Sequence, residues 1–195
     1  HRIARRQRQM CIRDRIKTLV DRSNPYEMGM IDSEKMLSIV DKWNWNIENE
    51  KNIYFDVESR KNSITYRSNI SRLTNQLIFE NKPIEAEKII DNCMKKFPTN
   101  KFGYYTLLEP FIISYYKIDK EEKARKLFDE IAEKYQEKLF YYSGLNDSNK
   151  NRYAEEIYTD IERYRSLVDV MINFEEGDFF ETRMQEFNNY LDLFL

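Results

Sequence analysis

Residues that break helices are scarce in this chain, which has four glycines and four prolines among 195 residues. Between them, apolar side chains recur at the spacing that places them on one face of a helix. From Ile64 onward this pattern is nearly continuous. Few breakers and long periodic segments are typical of helical proteins, so we predict an all-α fold built from antiparallel helical hairpins.

The predicted organisation has three parts. Residues 1–15 differ in composition from the rest, residues 16–63 form an irregular N-terminal segment with one short helix capped by Ser33, and residues 64–195 form the helical domain. The predicted helices of that domain cover about residues 64–80, 83–97, 104–117, 120–143, 148–174 and 178–195.

Two of the predicted hairpins resemble each other. In each, a polar turn leads into a helix with a small residue, Ala86 or Ala124, and a bulky residue four positions later, Ile90 or Phe128. Small side chains let antiparallel helices approach closely, and the pattern is typical of tetratricopeptide repeats. The two alanines are 38 residues apart, more than the regular spacing of about 34. We therefore predict an imperfect, tetratricopeptide-like repeat.

The segment RRQRQMCIRDR, residues 5–15, holds five arginines. Such a cluster could form a nucleic-acid-binding arm or a membrane-surface tag, but it has no aromatic residues for base stacking and no apolar stripe. The DNA string CGTCGGCAGCGTCAGATGTGTATAAGAGAC encodes residues 5–14, and it resembles a transposon adapter used to build sequencing libraries. We therefore predict that residues 1–15 are translated adapter and that the natural fragment begins near Ile16.

Setting residues 1–15 aside removes six arginines and one aspartate, so the formal net charge falls from −2 to −7. The electrostatic basis for binding nucleic acid disappears with them. His1, the only histidine, is removed too, which excludes Ser-His-Asp and Cys-His catalysis and histidine-ligated metals. No apolar run approaches the length of a membrane-spanning helix, so we predict a soluble piece that has no cofactor.

Few of the remaining side chains suggest chemistry. Cys93 falls on the apolar stripe of its helix, so we interpret it as a core residue rather than a nucleophile. The adjacent carboxylates Glu121 and Glu122, like Glu175 and Glu176, diverge on a helix and are interpreted as solvated charge at helix ends. We therefore predict no catalytic residue and no metal ligand in this chain.

Paired aromatic residues are the other candidate site. They are Tyr104, Tyr105, Tyr115, Tyr116, Tyr141 and Tyr142. Their rings could line a groove for a protein or peptide, although aromatic residues at helical spacing also form ordinary core. An exposed groove would support peptide binding, whereas fully packed tyrosines would indicate a structural role. We expect Trp43 and Trp45 to pack the N-terminal segment against the first hairpin.

Four blocks of sequence carry a resemblance to a known family. They are NPYEMGMIDSEKM, VDKWNWN, NIYFDVESRKNSITYRSNISRLTNQLIFENKPIEAEKIIDNCMKKFP and FIISYYKIDKEEKARKLFDEIAEKYQEKLFYYSGL. In order and spacing they are similar to the C-terminal region of a family of multipass membrane proteins common in Bacteroidetes. That family is related to membrane protein O-mannosyltransferases. The resemblance covers about residues 22–145.

The resemblance implies an intact protein that begins with membrane helices and carries this domain in cis. It implies tethering at a bacterial inner membrane, on the periplasmic face. In such lipid-sugar-dependent transferases the catalytic carboxylate lies in the N-terminal part. No stretch of this chain matches that motif, so the resemblance assigns no catalytic residue here.

Two functions are therefore open. The first is a non-catalytic helical-repeat domain at the C-terminus of a membrane glycosyltransferase-like protein, where it binds protein or positions the acceptor. The alternative is a free-standing tetratricopeptide-type adaptor that binds a peptide. Neither function involves nucleic acid. Apolar spans encoded upstream of Ile16 would favour the first, and a start codon near Ile16 would favour the second.

Overall fold

The structure is a computed structural model that describes residues 31–43, 54–175 and 177–194. All regular elements within these ranges are helical, so the predicted all-α fold is confirmed. The predictions for residues 1–30 and for Trp45 lie outside the described residues.

The described chain contains nine α-helices and one 3-10 helix. They are α1 (Ser33–Val40), α2 (Val57–Phe79), α3 (Pro83–Lys96), α4 (Thr99–Phe102), the 3-10 helix (Tyr105–Leu108), α5 (Glu109–Lys117), α6 (Glu121–Ser143), α7 (Asp147–Arg152), α8 (Ala154–Met171) and α9 (Asp178–Leu191). Three pairs, α2 with α3, α5 with α6 and α8 with α9, pack as consecutive hairpins. Helix α5 also packs on α2, and α6 packs on α8, so the hairpins follow one another in space.

Two helix starts differ from the prediction because an aspartate caps each one. The Asp32 side chain accepts a hydrogen bond from the Lys35 N–H at 3.0 Å, so Asp32 caps α1 and the prediction that Ser33 does so is wrong. The Asp56 side chain accepts from the Ser59 N–H at 2.6 Å. Helix α2 therefore begins at Val57, and residues 57–63 are helical rather than irregular. An oxygen at the N-cap satisfies an N–H that the helix leaves unpaired.

Two segments predicted as single helices are interrupted. Residues 104–117 begin with Tyr104 in the left-handed region, at φ 53°, and continue through the 3-10 helix before α5 starts at Glu109. Residues 148–174 divide at Tyr153, which ends α7 and precedes α8. Both interruptions are only a few residues long. The helical spacing of apolar residues continues on either side of each one, so the spacing alone does not reveal them.

The predicted apolar stripes form the core. Those of α2, α3, α6 and α8 are largely buried, although Ile78 and Met94, which lie on the predicted stripes, are only partly buried. The buried set includes Ile70, Leu73, Leu77, Ile89, Ile90, Cys93, Leu127, Phe128, Ile131, Tyr135, Ile157, Ile161, Tyr164, Val168 and Met171. Trp43 packs edge-on against Tyr66 of α2, with ring centroids 5.1 Å apart, as predicted for the N-terminal segment.

The turns of the first two hairpins have the same backbone geometry. Asn81 and Asp119 both have a φ of 57°, the left-handed conformation that polar residues tolerate at the end of a helix. The next N–H, that of Lys82, donates to the Leu77 carbonyl at 2.9 Å, and the equivalent bond 38 residues later has the same length. The Asn81 N–H also donates to the Ile78 carbonyl at 3.0 Å, and the Asp119 N–H donates to the Tyr116 carbonyl at 3.1 Å. The same two backbone hydrogen bonds thus end the first helix of each hairpin.

Ala86 and Ala124 occupy the same position after these turns. Each is the fourth residue of the second helix of its hairpin, and neither has any exposed surface. A methyl side chain here allows the second helix to lie close to the first. A larger side chain would have to displace well-packed neighbours.

Replacing either Ala86 or Ala124 with leucine should lower the free energy of unfolding by about 2 kcal/mol, because added methylenes force neighbouring side chains out of their rotamers. Urea denaturation would measure the change. Ala154 is exposed on the first turn of α8, so Ala154→Leu is the matched control and should leave stability nearly unchanged. Wild-type stability in the Ala86 and Ala124 variants would contradict close packing at these positions.

Candidate functional site

The six tyrosines predicted to line a groove lie in three separate places. Tyr115 and Tyr116 are buried on α5, and Tyr104 and Tyr105 lie at the start of the 3-10 helix that precedes it. Tyr141 and Tyr142 lie at the end of α6. The six residues therefore do not form one groove but three separate pairs of sequence neighbours.

Tyr115 helps to join three helices. Its hydroxyl donates a hydrogen bond to Asp91 of α3 at 2.6 Å, and the same carboxylate accepts from Lys123 of α6 at 2.6 Å. Burial, followed by the hydrogen bond to Asp91, raises the pKa of Tyr115 above its ordinary value. The hydroxyl therefore stays protonated and acts as a fixed donor within the packed hairpins.

Tyr116 donates to Glu175, in the linker between α8 and α9, at 2.8 Å. Glu175 is only 5 % exposed, so the prediction that it is a solvated charge is wrong. Two nitrogens of Arg125 on α6 bind its two oxygens at 2.6 and 2.7 Å. These hydrogen bonds, the largest influence, hold the pKa of Glu175 below the ordinary carboxyl range. The carboxylate thus fastens the third hairpin to the second.

Tyr104 and Tyr105 face different surroundings. Tyr104 is 36 % exposed, whereas Tyr105 is half-buried with its ring edge-on to that of Tyr135, at 5.7 Å between centroids. The Lys138 ammonium lies 6.0 Å from the centroid of the Tyr105 ring. Burial raises the pKa of Tyr105. Tyr104 is therefore an exposed ring, whereas the Tyr105 ring packs at the edge of the core.

Tyr141 and Tyr142 continue into a third ring, that of Tyr153 at the start of α8. The ring centroids of Tyr141 and Tyr142 are 5.7 Å apart, and those of Tyr142 and Tyr153 are 6.1 Å apart. Tyr141 is 63 % exposed, while the other two are half-buried. We call these three residues the tyrosine row. It is an aromatic surface that reaches from the second hairpin to the third.

An open cleft of about 240 Å³ lies between the end of α1 and helices α2 and α3. Its lining residues are Val40, Asp41, Trp43, Ile70, Ile89, Asn92, Cys93, Lys95, Lys96 and Phe97. Cys93 itself is 4 % exposed, and burial raises the pKa of its thiol to about 12. The thiolate is the nucleophilic form, so this cysteine is inert at neutral pH, in agreement with the core position predicted for it.

Cys93 should therefore react with a thiol reagent only when the protein unfolds. In a Cys11→Ser variant at pH 8, we expect labelling by dithionitrobenzoate to be slow and to accelerate across the urea unfolding transition. The unfolded chain in concentrated urea provides the fast reference rate. Rapid labelling of Cys93 in the native protein would show that the cleft gives access to the thiol.

Across the described residues, no helix is both long and apolar enough to span a membrane. The same residues contain no group of three or more histidine, cysteine or acidic side chains placed to hold a metal ion.

Comparison of the chain with protein-family models, curated proteins and solved structures gives no match. The resemblance to the multipass membrane protein family therefore stays a prediction.

Three buried charged residues, among them Asp160 of α8 at 4 % exposure, were missed by sequence reasoning. Arg67 of α2 has no exposed surface, and its guanidinium donates to the carbonyls of Phe97 and Gly103. Glu175 is the third. Arg67 lies three residues before Ile70 on the apolar stripe of α2, which is the signal that could have indicated burial. Glu175 follows the end of a helix, where an acidic residue is ordinarily exposed.

Proposed function

We propose that the helical domain is a tetratricopeptide-like repeat that binds a protein or positions an acceptor and performs no chemistry itself. The observation that carries this proposal is the recurrence of one hairpin design. The turn with φ of 57°, the helix-closing hydrogen bond and the buried alanine all recur 38 residues later. Stacked hairpins of one design form extended surfaces that suit binding rather than catalysis.

Exposed apolar side chains at the first turn support a binding role. Phe79 is 81 % exposed and Ile84 is 79 % exposed. The second turn has the same backbone geometry with Lys117 and Glu122 at the equivalent positions. The turn itself therefore has no need of apolar residues there, and two large apolar side chains exposed on either side of one turn are consistent with a contact surface.

The side chains that were first considered as catalytic candidates are buried or bound to other residues of the fold. The Cys93 thiol is buried with its pKa raised, and Glu175 is held by Arg125 and Tyr116. A nucleophile or general acid would need contact with a substrate. These positions support a domain that acts by binding.

Placement of this domain at the C-terminus of a membrane glycosyltransferase-like protein rests on the sequence resemblance. In this proposal the membrane-embedded part of the parent protein is a partner in cis, and the domain is tethered at the periplasmic face of an inner membrane. Residues 1–15 have no role in it, because they are interpreted as translated adapter.

Long-read sequencing of the native locus through the codons for residues 1–25 tests this placement. We expect the RRQRQMCIRDR codons to be absent and codons for apolar, membrane-spanning helices to precede Ile16. A start codon near Ile16 would instead establish the free-standing adaptor. An RRQRQMCIRDR run encoded in place would overturn the adapter interpretation and restore an anionic partner as the leading hypothesis.

A further inference from the structure

Two carboxylates lie where helix α5 meets the third hairpin, one near each end of the helix. Near the end of α5, Tyr116 donates to Glu175, whose oxygens also accept from Arg125. At the start of α5, the Glu109 side chain accepts a hydrogen bond from the Ser166 hydroxyl of α8 at 3.2 Å. Glu109 and Tyr116 are about 10 Å apart along the helix. The second and third hairpins are therefore joined at two places, each of which contains a carboxylate.

The charge of Glu109 lacks the compensation that Arg125 gives to Glu175. The Oε1 atom of Glu109 is buried and has no hydrogen-bond partner among the described residues, and its Oε2 atom accepts only from the neutral Ser166 hydroxyl. Burial, the largest influence, raises the pKa of Glu109, and the hydrogen bond from Ser166 opposes it only in part. A carboxylate that loses water without gaining a cation is costly. The ionised form of Glu109 thus works against the contact of α5 with α8.

The titratable groups around the start of α5 are engaged elsewhere. Tyr135 of α6 and Tyr105 of the 3-10 helix are phenols whose pKa is raised, chiefly by burial, and the charge of Glu109 raises that of Tyr135 further. On α8, the Asp160 carboxylate pairs with Lys138 at 3.2 Å and with Arg163 at 3.6 Å. These cations therefore have a carboxylate of their own.

The other charged groups of the helices that pack on α5 are also engaged. Arg165 of α8 pairs with Glu162 at 3.1 Å. Arg67 of α2 donates to two backbone carbonyls, and Asp91 of α3 accepts from a tyrosine and a lysine near the far end of α5. Within the described residues, no cation forms an ion pair with Glu109, and no backbone N–H of α5 donates to its oxygens.

We propose that Glu109 is a proton-operated switch in the joint between the second and third hairpins, in which proton uptake by its carboxyl group tightens the contact of α5 with α8. The Glu175 contact responds in the opposite direction, because acid removes the charge that Arg125 binds. Acidification thus moves the firmer contact from the Glu175 end of α5 to the Glu109 end. The shape of a stack of hairpins depends on how each lies against the next, so this shift changes the surface that the stack presents.

The direction of the pH effect follows from the raised pKa of Glu109. A glutamate in the unfolded chain titrates near pH 4.3. Below that value the carboxyl group is neutral in both states, and its burial carries no charge penalty. As pH rises through the higher pKa of the folded state, the penalty appears in full, so the contribution of this group to stability is lost.

Urea unfolding of the full chain between pH 4 and 7.5 tests the switch. Glu109→Gln removes the charge and keeps the shape, so it should raise the urea midpoint at pH 7 by about 0.5 M. This advantage should disappear below about pH 4.3. Glu109→Met removes the charge without adding an amide that needs partners, and it should show the same pH dependence.

Hydrogen exchange and a matched control locate the effect. At pH 7, the amides of residues 160–171 should exchange about fivefold more slowly in Glu109→Gln than in the wild type, and equally fast at pH 4. Glu122 is exposed in the first turn of α6, as Glu109 is in the first turn of α5. Glu122→Gln should raise the urea midpoint at no pH, because an exposed carboxylate there interacts favourably with the helix dipole.

Three results would overturn the proposal. The first is that both Glu109 variants are no more stable than the wild type at pH 7. The second is an advantage that is equal at pH 4 and pH 7, which would be an effect of packing rather than charge. The third is slower exchange spread evenly over all three hairpins, which would mean that the charge acts on the whole fold and not on this joint. None of these results bears on the proposed binding function.

Discussion

Replacing Arg67 with alanine should lower the free energy of unfolding by about 3–5 kcal/mol, because it creates a cavity and leaves two carbonyl acceptors without their donor. The Arg67 guanidinium donates to the carbonyl of Phe97 at 2.8 Å and to that of Gly103. These residues end α3 and α4, where carbonyls lack helical partners and a cation is favoured by the helix dipole. Alanine would leave both carbonyls unpaired beside a cavity.

Equilibrium urea unfolding would measure this effect, with two variants for comparison. Arg67→Met fills most of the same space without the hydrogen bonds, so its smaller loss separates packing from the carbonyl contacts. Arg165→Ala is the surface control, because Arg165 is 47 % exposed and pairs with Glu162 at 3.1 Å. It should change stability by less than about 0.5 kcal/mol. An Arg67→Ala variant as stable as this control would contradict the role given to Arg67.

Replacing Glu175 with alanine should lower the free energy of unfolding by about 2–3 kcal/mol, since it leaves the Tyr116 hydroxyl unpaired and removes the partner of Arg125. The Arg125 side chain is 39 % exposed and can regain water, which keeps the effect below that of Arg67. A double-mutant cycle with Arg125→Ala would measure the coupling of the two residues. Glu137→Ala, which breaks the exposed pair with Lys134 at 2.9 Å, is the control.

The contribution of Glu175 should depend on pH with a defined sign. Its pKa is lowered in the folded protein, chiefly by the hydrogen bonds from Arg125. A depressed carboxyl pKa stabilises the fold fully above the unfolded value of about 4.3 and loses that contribution as pH falls toward the folded pKa. The stability difference between wild type and Glu175→Ala should therefore be constant near pH 7 and shrink below about pH 4.3. A difference that grows in acid would contradict the ion pair.

Local periodicity was sufficient to predict the all-α fold and the buried faces of its helices. The stripe through Ala124, Phe128 and Tyr135 is buried as predicted, because residues three and four apart share a face of any α-helix. The same reasoning predicted the burial of Ala86 and Cys93. Helix ends were predicted less well, since Asp56 extends α2 by a single side-chain hydrogen bond that apolar spacing does not register.

The candidate site was predicted only in part. The sequence singled out six tyrosines as possible groove residues, and the structure distributes them over three places. It also adds Tyr153, half-buried at the start of α8, as the third member of the tyrosine row. Tyr116 and Tyr141 have similar apolar neighbours along the chain, yet one is 7 % exposed and the other 63 %. The difference arises because α5 packs against helices of all three hairpins, whereas Tyr141 lies on the outer face of α6, two residues beyond the fully buried Leu139.

The sequence by itself determined the all-α class and which face of each long helix is apolar. Only the tertiary structure decided the partners of the charged residues, since Arg67 binds a carbonyl 30 residues away and Glu175 binds an arginine 50 residues away. Helical faces follow from bonds and contacts within four residues. Partners at such distances depend on how one hairpin lies against the next, and the burial that makes those partners necessary exists only after the hairpins have packed.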